Sequence, residues 1–435
     1  TSPEAPLWVV DGVPYFGGPL NPFDIKSITV LKDAASASIY GVRAAGGVIL
    51  VETKQGKAGK VAVSFGIFTG VQNVGDKPTA LNAQQYTDAY NLAYANSGIP
   101  ALDYFDSAKN PDRLINRTNW VDEIFRTGII QNYDVGLRGG SENFKFSSSI
   151  GYNTKEGILL NTHADRLSFR FNSTAKLNDQ IKIGQNFSYT YTNGQSVFTG
   201  TQGDNGETNY NGIIAAAIKA PPYVSVYNAD GSYSDIADGQ NGDVLHPVGT
   251  LNRIDIDNPE RSLFGNLFLE YKPVTNLTFK TNFAITRTDT KYEEFQPRVP
   301  EQSKVQSSIN RLITQDSERS NWTWENTLDY KPELNDDNSL QLLAGYSLQK
   351  EEGEINFLRA RGFENEDRRR IVIPLADEIE FTDHFYSTQT LVSFFSRAVY
   401  DYKKKYFISA SIRRDGSSKL TDELAWENFP SVAVD

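Results

Sequence analysis

Side chains that could do acid–base, nucleophilic or metal chemistry are few and scattered along the 435-residue sequence. Cysteine is absent, which excludes a thiolate zinc site and a cysteine nucleophile. The three histidines, His163, His246 and His384, lie far apart, with no carboxylates at ligand spacing. Adjacent carboxylates such as Glu351-Glu352 would point to opposite faces of a strand, and no base or nucleophile accompanies them. We therefore expect no catalytic residue, no metal site, no cofactor and no enzyme activity.

The glycines and the charge balance exclude two further classes of ligand. Gly41, Gly46 and Gly47 lie close together, but the GxxxxGK[ST] order of a phosphate-binding loop is missing, so they predict a tight turn between a helix and a strand. The net charge is −11, and the basic runs at 368–370, 403–405 and 413–414 are short. Nucleic-acid binding needs clustered lysines and arginines, so we expect no nucleic-acid partner.

Alternation of apolar and polar residues dominates the sequence after about residue 60. In one example, the apolar positions of 167–171 interleave with Ser168, Arg170 and Asn172. Period two predicts strands with one apolar and one polar face. About a dozen such segments lie between Val61 and Arg414, and at roughly 10–14 residues each they have the length of a tilted strand that crosses a bilayer.

The connections between these segments alternate between short turns and long polar insertions, which is the layout of outer-membrane β-barrels. The long insertions lie near 74–128, 195–260 and 351–385. A capping-box spacing at Asn82 and Gln85 predicts a helix that continues to Asn96, and a second short helix is predicted over 210–220. Tyrosines beside the turns predict interfacial aromatic girdles, although aromatic residues also favour strands in general.

Two absences concern the extent of the chain. No run of about 20 apolar residues is present, so no transmembrane helix is predicted, and no signal peptide is visible. Methionine is absent, also at position 1. We expect the chain to be part of a longer protein.

The first 60 residues have a different pattern, with compact mixed α/β signals. Residues 6–14, PLWVVDGVP, predict a strand and a tight turn, and 21–33, NPFDIKSITVLKD, predict a helical start and then a strand. Residues 34–41, AASASIYG, predict a small-residue helix closed by glycine. Residues 43–54, RAAGGVILVETK, predict a glycine-rich turn and a buried strand.

Taken in order, these blocks resemble the plug domain of TonB-dependent transporters. Their sequence motifs resemble those of the SusC/RagA-type branch of Bacteroidota. GGSENFKFSSSIGYNTKEGIL at 139–159 resembles an early barrel hairpin, and YFISASIRRDGSS followed by WENFPSV resembles a mid-barrel hairpin of the same branch. The resemblance implies a mainly β fold: a transmembrane antiparallel β-barrel of about 22 strands when complete, about half of them present here, around a small α/β plug. It implies a plug part over 1–60 and a barrel part with long extracellular loops over 61–435.

The resemblance also implies function and partners. It implies TonB-dependent active import of a large nutrient by a multi-pass protein of the cell outer membrane. A glycan oligosaccharide is the first candidate for that nutrient, and a peptide is the second. The partners implied are a SusD-like lipoprotein lid, outer-membrane lipids, and the TonB–ExbB–ExbD energy complex acting on a segment before Thr1. A passive porin or adhesin barrel is the alternative, but such a pore needs no plug.

Four residues are predicted to bind substrate, in and just after the loop that follows Val13-Pro14. This loop is the part of the plug expected to reach the outer face, and it carries Tyr15, Phe16, Asn21 and Phe23. Aromatic faces and amides suit sugars, which present apolar ring faces and many hydroxyls. The alternative is that Tyr15 and Phe16 only pack the plug against the barrel.

Overall fold

A computed structural model describes residues 5–32, 38–44, 46–100, 103–197, 212–236, 244–298, 309–367, 371–421 and 425–434. Within these ranges the chain forms two β-sheets, and short helices lie in the connections. No helix in this part of the chain is long and apolar enough to span a membrane.

The smaller sheet is built from the first residues of the chain. Its strands are β1 (Leu7–Val10), β2 (Val13–Pro14), β3 (Ile25–Leu31) and β4 (Val48–Thr53), in the order β2-β1-β4-β3. β1 and β4 are parallel and the other pairs are antiparallel. These strands confirm the three predicted from the sequence blocks. Of the helix predicted over 34–41, residues 34–37 lie outside the described residues, and 38–44 form 3-10 turns.

The larger sheet has thirteen antiparallel strands. They are β5 (Gly59–Gln72), β6 (Gly128–Gly140), β7 (Phe144–Glu156), β8 (His163–Lys176), β9 (Ile181–Gln195), β10 (Asp255–Asp257), β11 (Glu260–Val274), β12 (Leu277–Gln296), β13 (Arg311–Tyr330), β14 (Asn338–Arg361), β15 (Glu378–Tyr402), β16 (Tyr406–Ser417) and β17 (Trp426–Val434). Each long strand pairs with its neighbours in chain order, and β5 and β17 are the two edges of the described sheet. We call this sheet the wall and the unit formed by residues 5–54 the inner unit.

The inner unit lies against one face of the wall, which we call the inner face. That face carries buried polar side chains, whereas the outer face carries exposed apolar ones. The inner-face set includes Arg170, Asn172, Asn266, Asn282 and Ser393, and the outer-face set includes Phe65, Ile67, Leu267, Phe283 and Phe394. A water-soluble sheet has the opposite distribution. The wall is therefore built for an apolar surrounding and a polar interior.

Strand length is the first point on which the sequence prediction is wrong. β12, β13, β14 and β15 have 20, 20, 24 and 25 residues, and not 10–14. The apolar band on their outer face spans only Leu277–Ile285 in β12 and Trp322–Tyr330 in β13, close to the roughly 9–11 residues that a tilted strand needs to cross a bilayer. Beyond the band the outer face is charged, with Arg287 paired to Glu318 at 2.8 Å. The strands thus continue well past the apolar band.

The insertion predicted over 351–385 is the second error. Residues 351–361 complete β14, residues 378–385 begin β15, and the connection is only 362–377. The period-two signal is lost there because both faces of the extended strands carry polar and charged residues, as in Lys350-Glu351-Glu352.

The connections divide the wall into two ends. At the turn end they are 141–143, 177–180, 275–276, 331–337 and 403–405, and at the loop end they are 73–127, 157–162, 196–259, 297–310, 362–377 and 418–425. The predicted alternation of short and long connections is confirmed. The link from β4 to β5, residues 54–58, approaches the turn end, since a Cβ on Gly56 would lie 2.3 Å from the Phe146 backbone nitrogen.

The two longest connections fold together at the loop end. They contain α1 (Ala83–Asn96), α2 (Trp120–Ile124), α3 (Ile213–Lys219) and α4 (Pro247–Arg253). α1 starts with the predicted capping box of Asn82 and Gln85. α3 confirms the second predicted helix, although 210–211 lie outside the described residues. α2, α3 and α4 share one buried apolar cluster that includes Trp120, Ile213 and Leu251.

Candidate functional site

The inner unit contacts the inner face of the wall through several groups of side chains, and we call this contact region the seat. One of these groups contains a buried ion pair. The Arg170 guanidinium donates to Asp11 Oδ2 at 2.7 Å, and the two side chains are only 5% and 9% exposed. Asp11, in the turn between β1 and β2, also accepts from the Thr53 backbone N–H and hydroxyl. Asn172 donates to the Thr53 hydroxyl and to the Lys54 carbonyl. The β8 side chains of this junction, Arg170 and Asn172, therefore bind the inner unit where β1 and β4 end.

A second junction joins the inner unit to β6, β7 and β8. The Asn21 amide donates to Asp134 Oδ1 at 2.7 Å and to the Ser168 hydroxyl at 3.2 Å, while its carbonyl accepts the backbone N–H two residues on. The Ser149 hydroxyl donates to Asp24 Oδ1 at 2.5 Å. Burial raises the pKa of Asp24 above its usual value, and this hydrogen bond opposes the rise.

Phe23 occupies a space that two wall glycines leave open. Cβ atoms on Gly66 and Gly136 would lie 3.1 Å and 2.9 Å from its ring. The Lys54 ammonium group lies 4.3 Å from the centre of the same ring and donates to the Phe23 carbonyl. Phe23 is therefore enclosed between the inner unit and the wall.

The loop after β2 reaches across to β11. The Tyr15 hydroxyl donates to the Gly18 carbonyl at 2.7 Å, and the ring meets Phe264 edge-on at 5.2 Å between centroids. The Gly18 N–H donates to the Ser262 hydroxyl at 3.0 Å. Burial raises the pKa of Tyr15 to about 12, so this phenol remains a donor at any physiological pH. Phe16 is half-buried under the Arg319 guanidinium, 5.8 Å away.

The opposite side of the inner unit is held by β14, β15 and β16. Arg413 pairs with Asp415 at 2.7 Å, donates to Ser393, and donates to the Ile39 carbonyl at 2.6 Å. Gly41 has φ +66, and a Cβ there would lie 2.3 Å from Asp415 Oδ2. Only glycine combines this backbone with so close an approach.

Arg43 adds one more polar contact on that side, because its guanidinium donates to the Gln349 side chain. Burial lowers the pKa of Arg43 to about 10, which leaves it charged at neutral pH. Among the described residues, the contacts between inner unit and wall are thus mostly hydrogen bonds and ion pairs. Water can replace such contacts, so separation costs less than opening an apolar core would.

A cleft of about 440 Å³ opens at the loop end, between Pro19 of the inner unit and the ends of the wall strands. Most of its lining residues are of polar types, and they come from strands far apart in the sequence. The polar lining includes Lys155, His163, Gln195, Asn258, Glu260 and Thr290. This volume falls in the range of small-ligand pockets. No sequence signal indicated these residues, since they lie on or beside different strands from β7 to β12 and no local pattern relates them.

The four residues predicted to bind substrate are divided by the structure. Tyr15 and Phe16 lie on the side of the inner unit that faces the loop end, in the loop that leads to Pro19 and the cleft. Asn21 and Phe23 lie against β6, β7 and β8 and use their functional groups there. The contacts of Tyr15 and Phe16 with the wall agree with the packing alternative, and Asn21 and Phe23 make wall contacts as well. The role of all four residues in substrate binding stays a prediction.

Known proteins resemble the chain in sequence and in structure. The family model described as "TonB-dependent Receptor Plug Domain" matches residues 1–48. TonB-dependent receptor P3 of Formosa agariphila is 31% identical over 98% of this chain and 41% of its own length. TonB-dependent receptor SusC of Bacteroides thetaiotaomicron is 25% identical over 95% of the chain and 41% of its own length. The structure titled as the RagAB peptide importer in the closed-closed state superposes with a TM-score of 0.80 at 23% identity, over 99% of this chain and 50% of that one.

The fold is thus that of a plugged outer-membrane-type barrel, with the inner unit as plug and the large sheet as wall. In sequence and in fold the chain resembles the SusC/RagA-type TonB-dependent transporters. It spans about two fifths of the length of the curated relatives that it matches.

Proposed function

We propose that the whole protein imports a large nutrient, a glycan oligosaccharide, across the outer membrane with energy delivered through TonB. The observation that supports it best is the seat of the inner unit. A polar domain is held in a polar wall by replaceable contacts such as Asp11–Arg170, while the outer face of that wall is apolar. A domain seated in this way blocks the lumen at rest and can be displaced by force.

The topology indicates how such a force would act. β1 is the first described strand, it pairs in parallel with β4, and Asp11 follows directly after its last residue. A pull on the segment before Leu7 would load β1 and, through it, the Asp11–Arg170 pair. On this view residues 1–60 belong to the plug and 61–435 to the barrel, with the loop end outside the cell and the turn end in the periplasm.

The proposed partners follow from the same arrangement. The outer-membrane lipids contact the apolar band of the wall. A SusD-like lipoprotein lid covers the loop end, where the long connections form a packed layer above the cleft. TonB–ExbB–ExbD acts from the turn end.

Peptide import is the second candidate. It is supported by solved structures with the same fold, those of the RagAB peptide transporter and peptide importer. Those structures are 23% identical to this chain in a match that covers about half of their length, so they support the fold and leave the substrate open. A passive pore is disfavoured because the inner unit is bonded to β6, β7, β8, β11, β14 and β16.

Uptake by cells that carry the full-length protein and its lid tests the proposal. We expect fluorescent maltodextrin, xylan, mannan and laminarin fragments, together with a peptide pool, to reveal at least one substrate. Its uptake should stop when TonB is deleted or a protonophore collapses the proton gradient, while the amount of protein in the outer membrane stays the same. Uptake that continues at the same rate without TonB would identify a passive pore.

A further inference from the structure

The inner face of the wall continues past the inner unit on the extended parts of β14 and β15. Gln349, on this face, binds Arg43 of the inner unit, and the pairing of the two strands is unshifted from there to Arg359. Phe357, Phe381, Asp383 and Phe385 therefore lie on the same face, nearer the loop end. We call these four residues and Arg359 the rim patch.

The phenylalanines of the rim patch are exposed on the inner face of the wall, so contact with lipid does not account for their exposure. Phe381 is 46% and Phe385 57% exposed. Phe357 and Phe381 meet edge-on, 5.5 Å apart, which leaves a ring face open. On the outer face at this level, Tyr386 binds Glu352, beyond the apolar band. Exposed aromatic side chains that project into a polar lumen indicate a binding surface.

Charged side chains border the rim patch and are held in place by one another. Glu380 lies among Arg311, Arg359 and Arg361 at 3.0 Å, 3.1 Å and 3.2 Å, and Arg361 also binds Glu378 at 2.6 Å. The Glu380 side chain is 9% exposed, so the cluster is a built feature of the wall.

Among the described residues of this surface, Arg311, Arg359 and Arg361 are matched in number by Glu378, Glu380 and Asp383. A balanced surface has little attraction for a polyanion. It offers ordered donors and acceptors beside open aromatic faces. That combination suits a neutral ring with an apolar face and many hydroxyl groups.

We propose that the rim patch is a carbohydrate-binding site on which pyranose rings of a neutral oligosaccharide stack against Phe381 and Phe385. This inference rests on the proposed function and names its substrate class. Asp383 lies between the two phenylalanines on the same face and accepts hydrogen bonds from ring hydroxyls. The site holds the oligosaccharide above the plug before it is admitted.

A line of polar groups leads from the rim patch to the plug. Gln389, four residues or about 13 Å along the strand from Phe385, donates to Glu351. Glu351 also accepts from Arg319, and Arg319 lies over Phe16 of the inner unit. A sugar released from the rim patch would pass these side chains on its way to Phe16.

The test measures binding to the purified full-length protein with its lid. The probes are neutral gluco-, xylo- and manno-oligosaccharides of about six to eight residues, and a mixed peptide pool serves as the competing class. We expect the Phe381→Ala/Phe385→Ala variant to bind its best oligosaccharide about tenfold more weakly, since two stacking faces are lost. Phe385→Trp keeps an aromatic face and should retain binding. Tyr386→Ala, next along β15 but on the outer face and 60% exposed, should bind like the wild type.

Three results would overturn the proposal: equal affinity of the double variant and the wild type, an equal loss in Tyr386→Ala, or binding of peptides with no binding of any oligosaccharide. Uptake measured beside binding separates this proposal from the proposed function. TonB-dependent uptake with an unaffected double variant would reject the rim patch alone. Uptake without TonB together with weakened oligosaccharide binding would reject energised import alone.

Discussion

Replacement of Arg170 by alanine should destabilise the seat of the inner unit by about 3–5 kcal/mol, because it leaves the buried Asp11 carboxylate without its charge partner. Asp11 would keep two donors from Thr53, which do not offset the loss of a guanidinium at 2.7 Å. The readout uses a cysteine at Ser168, which is 6% exposed in the seat. Its labelling by a maleimide should begin at a lower urea concentration in Arg170→Ala than in the parent protein.

Two matched variants make this result specific. Arg166→Ala removes the same charge from the same face of β8, four residues away, and among the described residues the Asp11 carboxylate pairs with Arg170 and not with Arg166. Arg170→Leu with Asp11→Asn removes both charges and should recover part of the lost stability, since no unpaired ion is left in the interior. Labelling that begins at the same urea concentration in Arg170→Ala and Arg166→Ala would show that the ion pair does not hold the seat.

Phe394→Arg should strongly reduce assembly of the wall in the outer membrane. Phe394 lies on the outer face of β15, 51% exposed and within the apolar band. An arginine on the lipid-facing side of a barrel costs about 2–4 kcal/mol near the bilayer midplane and little near the interface. The amount of heat-modifiable, folded protein in an outer-membrane fraction measures the effect.

Thr388→Arg is the matched control on the same strand and face. It lies six residues or about 20 Å away along the strand, opposite Glu352, in the part of the outer face that is charged. We expect it to assemble like the wild type. Equal assembly of both variants would mean that the apolar band does not face lipid.

The fold was predictable where one physical signal was repeated. In β8, alternation placed Ser168, Arg170 and Asn172 on one face, and the structure buries all three. The capping residue Asn82 marked the start of α1. The sequence blocks of the inner unit predicted its strands because tight turns and short buried strands restrict local composition.

The site was less predictable, because it is assembled from distant residues. The cleft takes Lys155, Glu260 and Thr290 from three different strands, and no local pattern relates them. Phe381 and Phe385 were placed within a predicted loop, since charged residues on both faces of extended strands erase the period-two signal. Asn21 and Phe23 point toward the wall because they contact residues more than one hundred positions away in the sequence, such as Asp134. No local pattern predicts such a contact.

The central claim is that import requires the inner unit to leave its seat, and a reversible clamp tests it most directly. A Cβ on Gly18 would lie 3.6 Å from Ser262 Cβ, within the range that a disulfide needs. The nearest obstacle is the Glu260 carboxylate, the flexible end of a side chain, and the chain has no cysteine of its own to interfere. Gly18→Cys with Ser262→Cys should therefore join loop and wall under oxidising conditions.

The measurement is substrate uptake by cells with this clamp, oxidised and then reduced, beside the Ser262→Cys single variant. We expect uptake to stop in the oxidised double variant and to return after reduction, with oligosaccharide binding unchanged. Uptake at the wild-type rate, with the disulfide shown complete by mass, would contradict the account.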